Sequence, residues 1–201
     1  MNETLFLARE LSVIVGSYLL GCLATGYYLV RWRTGRDLRL LGSGSTGGTN
    51  AGRVLGRPGL VVTGLGDILK GVMALAAARY FHLDAWAVAL AAAAVVAGHV
   101  YPIQLAFHGG RGLGPALGAL LVYDGLLVAL VLGLTGIFWL LSQRMTLSLM
   151  LCVAAMPLLA LALGRPGGEA AGLIPIALVI LAAHRQKIAA EMRGVRAGPR
   201  P

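Results

Sequence analysis

The sequence predicts an all-α, polytopic membrane protein of about seven transmembrane helices, and three observations predict it. Of its 201 residues, 58% are hydrophobic and only 12% are charged. A soluble domain covers its surface with about 25% charged residues, so most of this chain does not face water. The charges also leave long stretches free. Neither 85–107 nor 145–164 holds an Asp, Glu, Lys or Arg, and a helix of roughly 20 apolar residues crosses the hydrocarbon core. Finally, the alternating pattern of a membrane barrel is absent. In lipid only a helix or a closed barrel satisfies its own backbone, so the spans are helical.

The elements follow in order. A first span covers 11–30, and a polar, Gly-rich segment follows at 31–56. The second span, 58–79, is interrupted by Asp67 and Lys70. A third covers 85–105, and a second Gly-rich segment spans 108–114. As one helix, the stretch 113–143 would be about 46 Å long, well beyond one bilayer core. It is therefore split at Asp124-Gly125 into two spans, the first of them short. A sixth span covers 145–163, a Gly- and Pro-rich turn 164–169, and a short final span 170–183, followed by a basic tail. No repeat of fixed period is visible. The chain reads as one domain, 1–194, with a loose tail at 195–201.

Orientation follows from basic loop residues. With seven spans, one side collects thirteen of the 17 lysines and arginines; the other holds only Arg9, Arg79 and Arg165, with Lys70 inside a span. This predicts an outside N-terminus, with both Gly-rich loops and the tail in the cytoplasm. The net charge of +9 is thus a topology signal combined with an anionic-ligand site. It does not indicate nucleic acid, because few aromatic residues interleave with the arginines as a stacking platform. Cys22 and Cys152 lie in apolar runs and imply neither a disulfide framework nor a zinc site. No cleavable signal peptide is evident, and no cofactor or metal is expected.

Three polar segments carry the candidate chemistry. The first is Gly42-Ser43-Gly44-Ser45-Thr46-Gly47-Gly48-Thr49-Asn50-Ala51-Gly52-Arg53. Its glycines let backbone N–H groups turn inward as a nest for an anion. Ser43, Ser45, Thr46, Thr49 and Asn50 add side-chain hydrogen bonds, and Arg53 adds a fork of donors for phosphate. It is not a Walker A loop; a plain flexible linker is the alternative. Asp67 and Lys70, three residues apart, share a helix face. They form either a structural pair or a substrate-facing one. The second segment is Gly98-His99-Val100-Tyr101-Pro102, then Phe107-His108-Gly109-Gly110-Arg111-Gly112, whose glycines and arginine offer another phosphate cradle. The alternative is a capped helix end with a polar turn. The third is His184-Arg185-Gln186-Lys187, either a positive-inside anchor or part of the same surface. No carboxylate pair, Ser-His-Asp order or metal-ligand spacing appears. A site so built favours electrostatic stabilisation of phosphate.

These residues resemble the bacterial acyl-phosphate-dependent glycerol-3-phosphate acyltransferase family. A first motif, Gly-Ser-Gly-Asn-x-Gly-x-Thr-Asn-x-x-Arg-x-x-Gly, is matched by Gly42 through Gly56. Asp-x-x-Lys-Gly is matched by Asp67 to Gly71, and Gly-His-x-(aromatic)-Pro then Phe-x-Gly-Gly-Lys-Gly by Gly98 to Gly112. A third motif is matched weakly by His184 to Ile188. Ser45 stands where the family usually has Asn, Arg111 replaces Lys, and Lys187 replaces Asn; the terminal Glu of the third motif has no clear match.

The resemblance implies a seven-helix inner-membrane enzyme. It would move an acyl group from acyl phosphate to the 1-hydroxyl of sn-glycerol 3-phosphate, giving lysophosphatidic acid, with a substrate phosphate helping to take the proton. On this reading Ser43, Thr49, Asn50, His99 and His184 serve catalysis. Gly42, Gly44, Ser45, Gly47, Arg53, Lys70, Gly109, Gly110, Arg111 and Gly112 hold substrate phosphate. The partners are acyl phosphate, glycerol 3-phosphate and membrane lipids. Two rivals are a diverged member acylating another phosphorylated acceptor, and a non-catalytic anionic-lipid binding or transport protein.

Overall fold

A computed structural model describes residues 3–194; the tail expected at 195–201 lies outside the described residues. The described residues form helices joined by irregular segments, without strands. Helix α1 (Glu3–Cys22) and α2 (Thr25–Thr34) form one broken span. Then come α3 (Gly48–Tyr80), α4 (Ala85–Val100), α5 (Leu113–Tyr123) and α6 (Gly125–Ser142). Helices α7 (Met145–Ala162), α8 (Gly167–Gly172) and α9 (Ile174–Met192) complete the bundle. Six segments are long and apolar enough to cross a membrane, and α5 is a shorter apolar helix.

The split at Asp124 is present and has a local cause. The Asp124 carboxylate accepts from the N–H groups of Leu126 and Leu127, at 3.1 Å each, and so starts α6. It also pairs with Arg165 at 2.7 Å. Asp84 starts α4 in the same way, accepting from Ala87 N–H at 2.8 Å. An N-cap side chain of this kind satisfies donors that have no partner within the helix.

Two expected boundaries move. Helix α3 begins at Gly48, ten residues before the apolar run at Pro58, and bends where Gly56 takes φ 69° and ψ −160°. Pro58 enforces the bend: it lacks an N–H, its ring crowds the carbonyl four residues back, and it disfavours helical geometry at Arg57. Thr49, Asn50 and Arg53 therefore stand on a helix, not in a loop. Helix α9 runs to Met192, so His184 and Lys187 project from a span instead of a tail.

The bundle closes through backbone contact. A Cβ on Gly71 would meet the carbonyl of Pro115, and one on Gly118 the carbonyl of Ile68, so α3 and α5 touch main chain to main chain. Gly21 and Gly98 do the same for α1 and α4. Where lipid tails are as apolar as the helices, such close approach holds spans together. Large apolar side chains such as Leu11, Leu65, Leu158 and Leu178 are exposed, as a lipid-facing surface requires. Cys22 and Cys152 are buried and free.

Candidate active site

At α5 the chain is only 11 residues long, about 16 Å, roughly half the hydrocarbon core. The irregular segment 101–112 before it thus dips inward. Such backbone is tolerated only where protein buries it or it lines a cavity. Here it is lashed on all sides. Tyr18 Oη donates to Tyr101 O at 2.8 Å, Gln104 Nε2 donates to Cys22 O, and Arg39 donates to Leu105 O at 3.0 Å. Gly109 O accepts from Thr46 N–H at 3.3 Å, which joins the two Gly-rich loops. Arg39 is itself held by Asp37 at 2.7 Å, and its hydrogen bond keeps the Asp37 carboxyl below the usual carboxylate range.

The first loop folds around Asn50, which is 1% exposed. Its Nδ2 donates to Leu38 O, Leu41 O and Ser45 O at 3.2, 2.9 and 2.9 Å, and its Oδ1 accepts from Ser43 N–H at 2.9 Å. This geometry gives Asn50, expected to serve catalysis, a bracing role in the loop. Both its hydrogens and its acceptor are used to brace the loop.

Loops and helices enclose a polar cavity of about 250 Å³. Of the expected residues, Ser43, Ser45, Gly47, Thr49, Asn50, Arg53, His99, Arg111, Gly112 and His184 line it; Gly48, Asp67, Leu113, Gly114 and Lys187 join them. Segments distant in sequence thus meet at one place. Gly42, Gly44, Gly109, Gly110 and Lys70, also expected to hold phosphate, are not among its lining residues. Gly42 packs on Asn50, Gly44 beside Arg39 O, and Gly109 and Gly110 on His99. A Cβ on Gly110 would overlap the His99 ring, so these glycines let main chain press on the imidazole. Lys70 is 3% exposed. Its ammonium donates to Gly21 O and Leu23 O, at 3.0 Å each, and lies 3.0 Å from Asp67 Oδ1 and 2.8 Å from His99 Nδ1.

Two helices start at this cavity, and neither is capped by a side chain. Helix α3 starts at Gly48 after Gly47, and α5 at Leu113 after Gly112, whose φ is 84°. Both differ from α4 and α6, which carry aspartate caps. Their first N–H groups and positive dipole ends are left for an anion. Arg53, Arg111 and Lys187 add three cations at the walls. Burial first, and the neighbouring Arg53 charge second, pull the Arg111 guanidinium below its ordinary range. The lone acid among the lining residues, Asp67, is already ion-paired with Lys70. The cavity is therefore short of negative charge, and an anionic ligand would supply it. His184 Nδ1 lies 2.8 Å from Ile180 O. A carbonyl only accepts, so Nδ1 carries a proton, and in the neutral imidazole a bare Nε2 is left for the cavity.

A second, apolar cavity of about 150 Å³ lies between α5, α6, α7 and α9, lined by Leu117, Leu120, Leu127, Val131, Val153 and Met156 among others. Leu113 belongs to both cavities, so the two adjoin.

Sequence reading missed Lys187 as a lining residue, although its departure from the family pattern was a signal. It also missed Glu191, whose carboxylate accepts from Thr146 and Leu147 N–H at 3.3 and 2.7 Å and so caps α7 from 44 residues away or more.

Comparison with known proteins agrees with this architecture. A family profile described as glycerol-3-phosphate acyltransferase matches residues 11–194. Glycerol-3-phosphate acyltransferase 1 of Desulfitobacterium hafniense (strain Y51) is 45% identical over 180 residues, covering 89% of each chain. The Synechococcus sp. (strain CC9902) glycerol-3-phosphate acyltransferase is 36% identical over 185 residues, covering 90% of this chain and 91% of its own. The crystal structure of PlsY (YgiH), an integral membrane glycerol 3-phosphate acyltransferase in its glycerol 3-phosphate form, superposes with a TM-score of 0.82 at 29% identity. It covers 93% of this chain and 94% of that one. Its lysophosphatidic acid form gives a TM-score of 0.80 at 26% identity, covering 93% of each. A bundle whose two uncapped helix starts face one cationic cavity, matched along nearly its whole length, belongs to the glycerol-3-phosphate acyltransferase family of integral membrane acyltransferases.

Proposed function

We propose that the protein transfers a fatty acyl group from acyl phosphate to the 1-hydroxyl of sn-glycerol 3-phosphate, at the cytoplasmic face of a bacterial inner membrane. The observation that carries this reading is the junction of a cavity holding two anion-ready helix starts with an apolar groove. Donor and acceptor each bring a phosphate, and one donor also brings an alkyl chain. One phosphate sits against the start of α3 with Thr49 and Arg53. The other sits against the start of α5 with Arg111 and Lys187. The acyl chain lies in the groove that begins at Leu113.

The acceptor hydroxyl oxygen attacks the carbonyl carbon of the donor, and the bond from that carbon to the phosphate oxygen breaks. The electron pair leaves with phosphate, and the hydroxyl proton ends on it. His184 Nε2 accepts a hydrogen bond from the hydroxyl and orients it. Arginines and helix N–H groups stabilise charge growing on the carbonyl oxygen and the leaving group. No carboxylate is needed as base, which fits a cavity whose one acid is already paired. The protein adds no cofactor. The basic bias of the loops supports an outside N-terminus and a cytoplasmic cavity.

Purified protein incubated with acyl phosphate and glycerol 3-phosphate tests the reading. One lysophosphatidic acid should form per phosphate released, and Arg53→Ala or His99→Ala should abolish it while the protein stays inserted. Binding of both ligands without product would favour a carrier. Product only with another phosphorylated acceptor would favour a diverged specificity.

A further inference from the structure

We propose that Lys70 is a positioning residue: its ammonium fixes His99 in the tautomer that carries its proton on Nε2, so that His99 serves the cavity as a hydrogen-bond donor and not as a base. The argument is a count of hydrogens. An ammonium has three donors and no lone pair. Lys70 Nζ lies 3.0 Å from Gly21 O and 3.0 Å from Leu23 O, and each carbonyl takes one of the ammonium's three hydrogens. The third goes to His99 Nδ1 at 2.8 Å; Asp67 Oδ1, 3.0 Å from the ammonium, is its ion-pair partner and accepts no hydrogen bond among the described residues. Lys70 faces a carboxylate at 3.0 Å, and as an ammonium it has no lone pair with which to accept a hydrogen bond. At 2.8 Å from it, His99 Nδ1 must be bare. The one competing partner for a proton there, Asp67 Oδ1, is 3.5 Å away, beyond a normal N–H···O contact.

The break between α1 and α2 makes this lock possible. Where α1 ends, the carbonyls of Gly21, Cys22 and Leu23 lose their helical partners. Lys70 takes two of them and Gln104 the third. A cation at a helix C-terminus is also favoured by the dipole. The lysine is thus held from one side by α1 and holds the imidazole on the other. The far edge of that ring, Nε2, lies under Gly110, where a Cβ would collide with it. No partner for Nε2 is found among the described residues, and His99 lines the cavity. The ring therefore offers an N–H to an oxygen of the ligand. His184 presents the opposite edge chemistry, a bare Nε2. One cavity holds two imidazoles in opposite tautomers, one to donate to a phosphoryl or carbonyl oxygen and one to accept from a hydroxyl.

The donor role of His99 rests on the acyl-transfer reading, whereas its tautomer does not. The test is nitrogen NMR of protein labelled with ¹⁵N-histidine in lipid nanodiscs, in which protonated and bare ring nitrogens resonate apart. His82→Asn and His108→Gln remove the two histidines outside the cavity, and His184→Gln identifies the remaining pair. Wild-type His99 should carry its proton on Nε2. In Lys70→Met that proton should redistribute toward Nδ1, and kcat should fall by roughly 10²-fold, the scale of losing one aligned donor. A wild-type His99 protonated on Nδ1 overturns the proposal without any variant. A slow Lys70→Met with an unchanged His99 tautomer also overturns it, since the lysine would then be only structural. An Nε2-protonated His99 in a protein without transferase activity would leave the tautomer lock standing and remove the acyl-transfer reading.

Discussion

Gly110→Ala adds one methyl group and no charge, yet it should nearly silence the protein. Gly110 N–H donates to His99 O at 2.9 Å, so the glycine lies directly over the imidazole it follows. The added Cβ would overlap Nε2 and crowd Cδ2, 2.8 Å away. The ring cannot swing aside, because Nδ1 is held by Lys70 at 2.8 Å and the residue is 4% exposed. Either the loop lifts or the ring tilts. Overpacking of this kind costs about 1–3 kcal/mol in stability. Both responses also move the His99 edge by about 1 Å, and a misplacement of that size costs about 10²-fold in rate. The assay is kcat/KM for lysophosphatidic acid formation beside a thermal melt in detergent. Gly133→Ala, which meets no atom within 4 Å, is the control and should leave both unchanged. Full activity in Gly110→Ala would refute the claim that this edge of His99 works on substrate.

Other consequences are open to measurement. Arg111→Ala should raise the KM for glycerol 3-phosphate or acyl phosphate by about 10–150-fold, the loss of one charged hydrogen bond of roughly 1.5–3 kcal/mol, read in steady-state kinetics. Asp124 loses by burial, but its Arg165 and α6 N–H hydrogen bonds outweigh that and hold its carboxyl below the ordinary range. A depressed carboxyl contributes stability above its unfolded pKa of about 3.9 and loses it as pH falls through the folded value. The melting temperature should therefore drop below about pH 4, and less so in Asp124→Asn. Glu191→Ala removes the cap of α7 and should cost about 0.5–2 kcal/mol in thermal unfolding, with Glu191→Gln intermediate. In intact cells, a cysteine at exposed Arg36 should resist a membrane-impermeant maleimide, while one at exposed Gly168 should react; the reverse pattern would invert the proposed topology.

Much of the fold was legible because lipid imposes simple lengths and compositions. The split of 113–143 followed from helix rise and the basic bias of the loops, and Asp124 supplies it physically. The start of α3 was not legible. Gly48 reads as loop because glycine is a poor helix former, yet the helix starts there, directly after the extended Gly47. The end of α9 was missed for a different reason. Hydropathy reports contact with lipid, and after Ala183 the helix continues with a face turned to the cavity.

The site was legible in its composition but not in its division of labour. Spacing paired Asp67 with Lys70, and the salt bridge is there, but nothing local tells that the lysine turns toward α1. Asn50 carries the same signal whether it holds substrate or holds its own loop. Glu191 acts on an element more than 40 residues away and leaves no local trace. What distinguishes α3 and α5 from α4 and α6 is an absence of cap residues, which in sequence looks like an ordinary Gly-rich turn.

The most direct test of the two-anion cavity is a structure of the protein with glycerol 3-phosphate and a non-transferable acyl phosphonate bound together. Two phosphorus centres should appear, one against the first N–H groups of α3 beside Arg53 and one against those of α5 beside Arg111, with the alkyl chain running past Leu113. Phosphorus at neither helix start, or both groups held elsewhere on the protein, would contradict it.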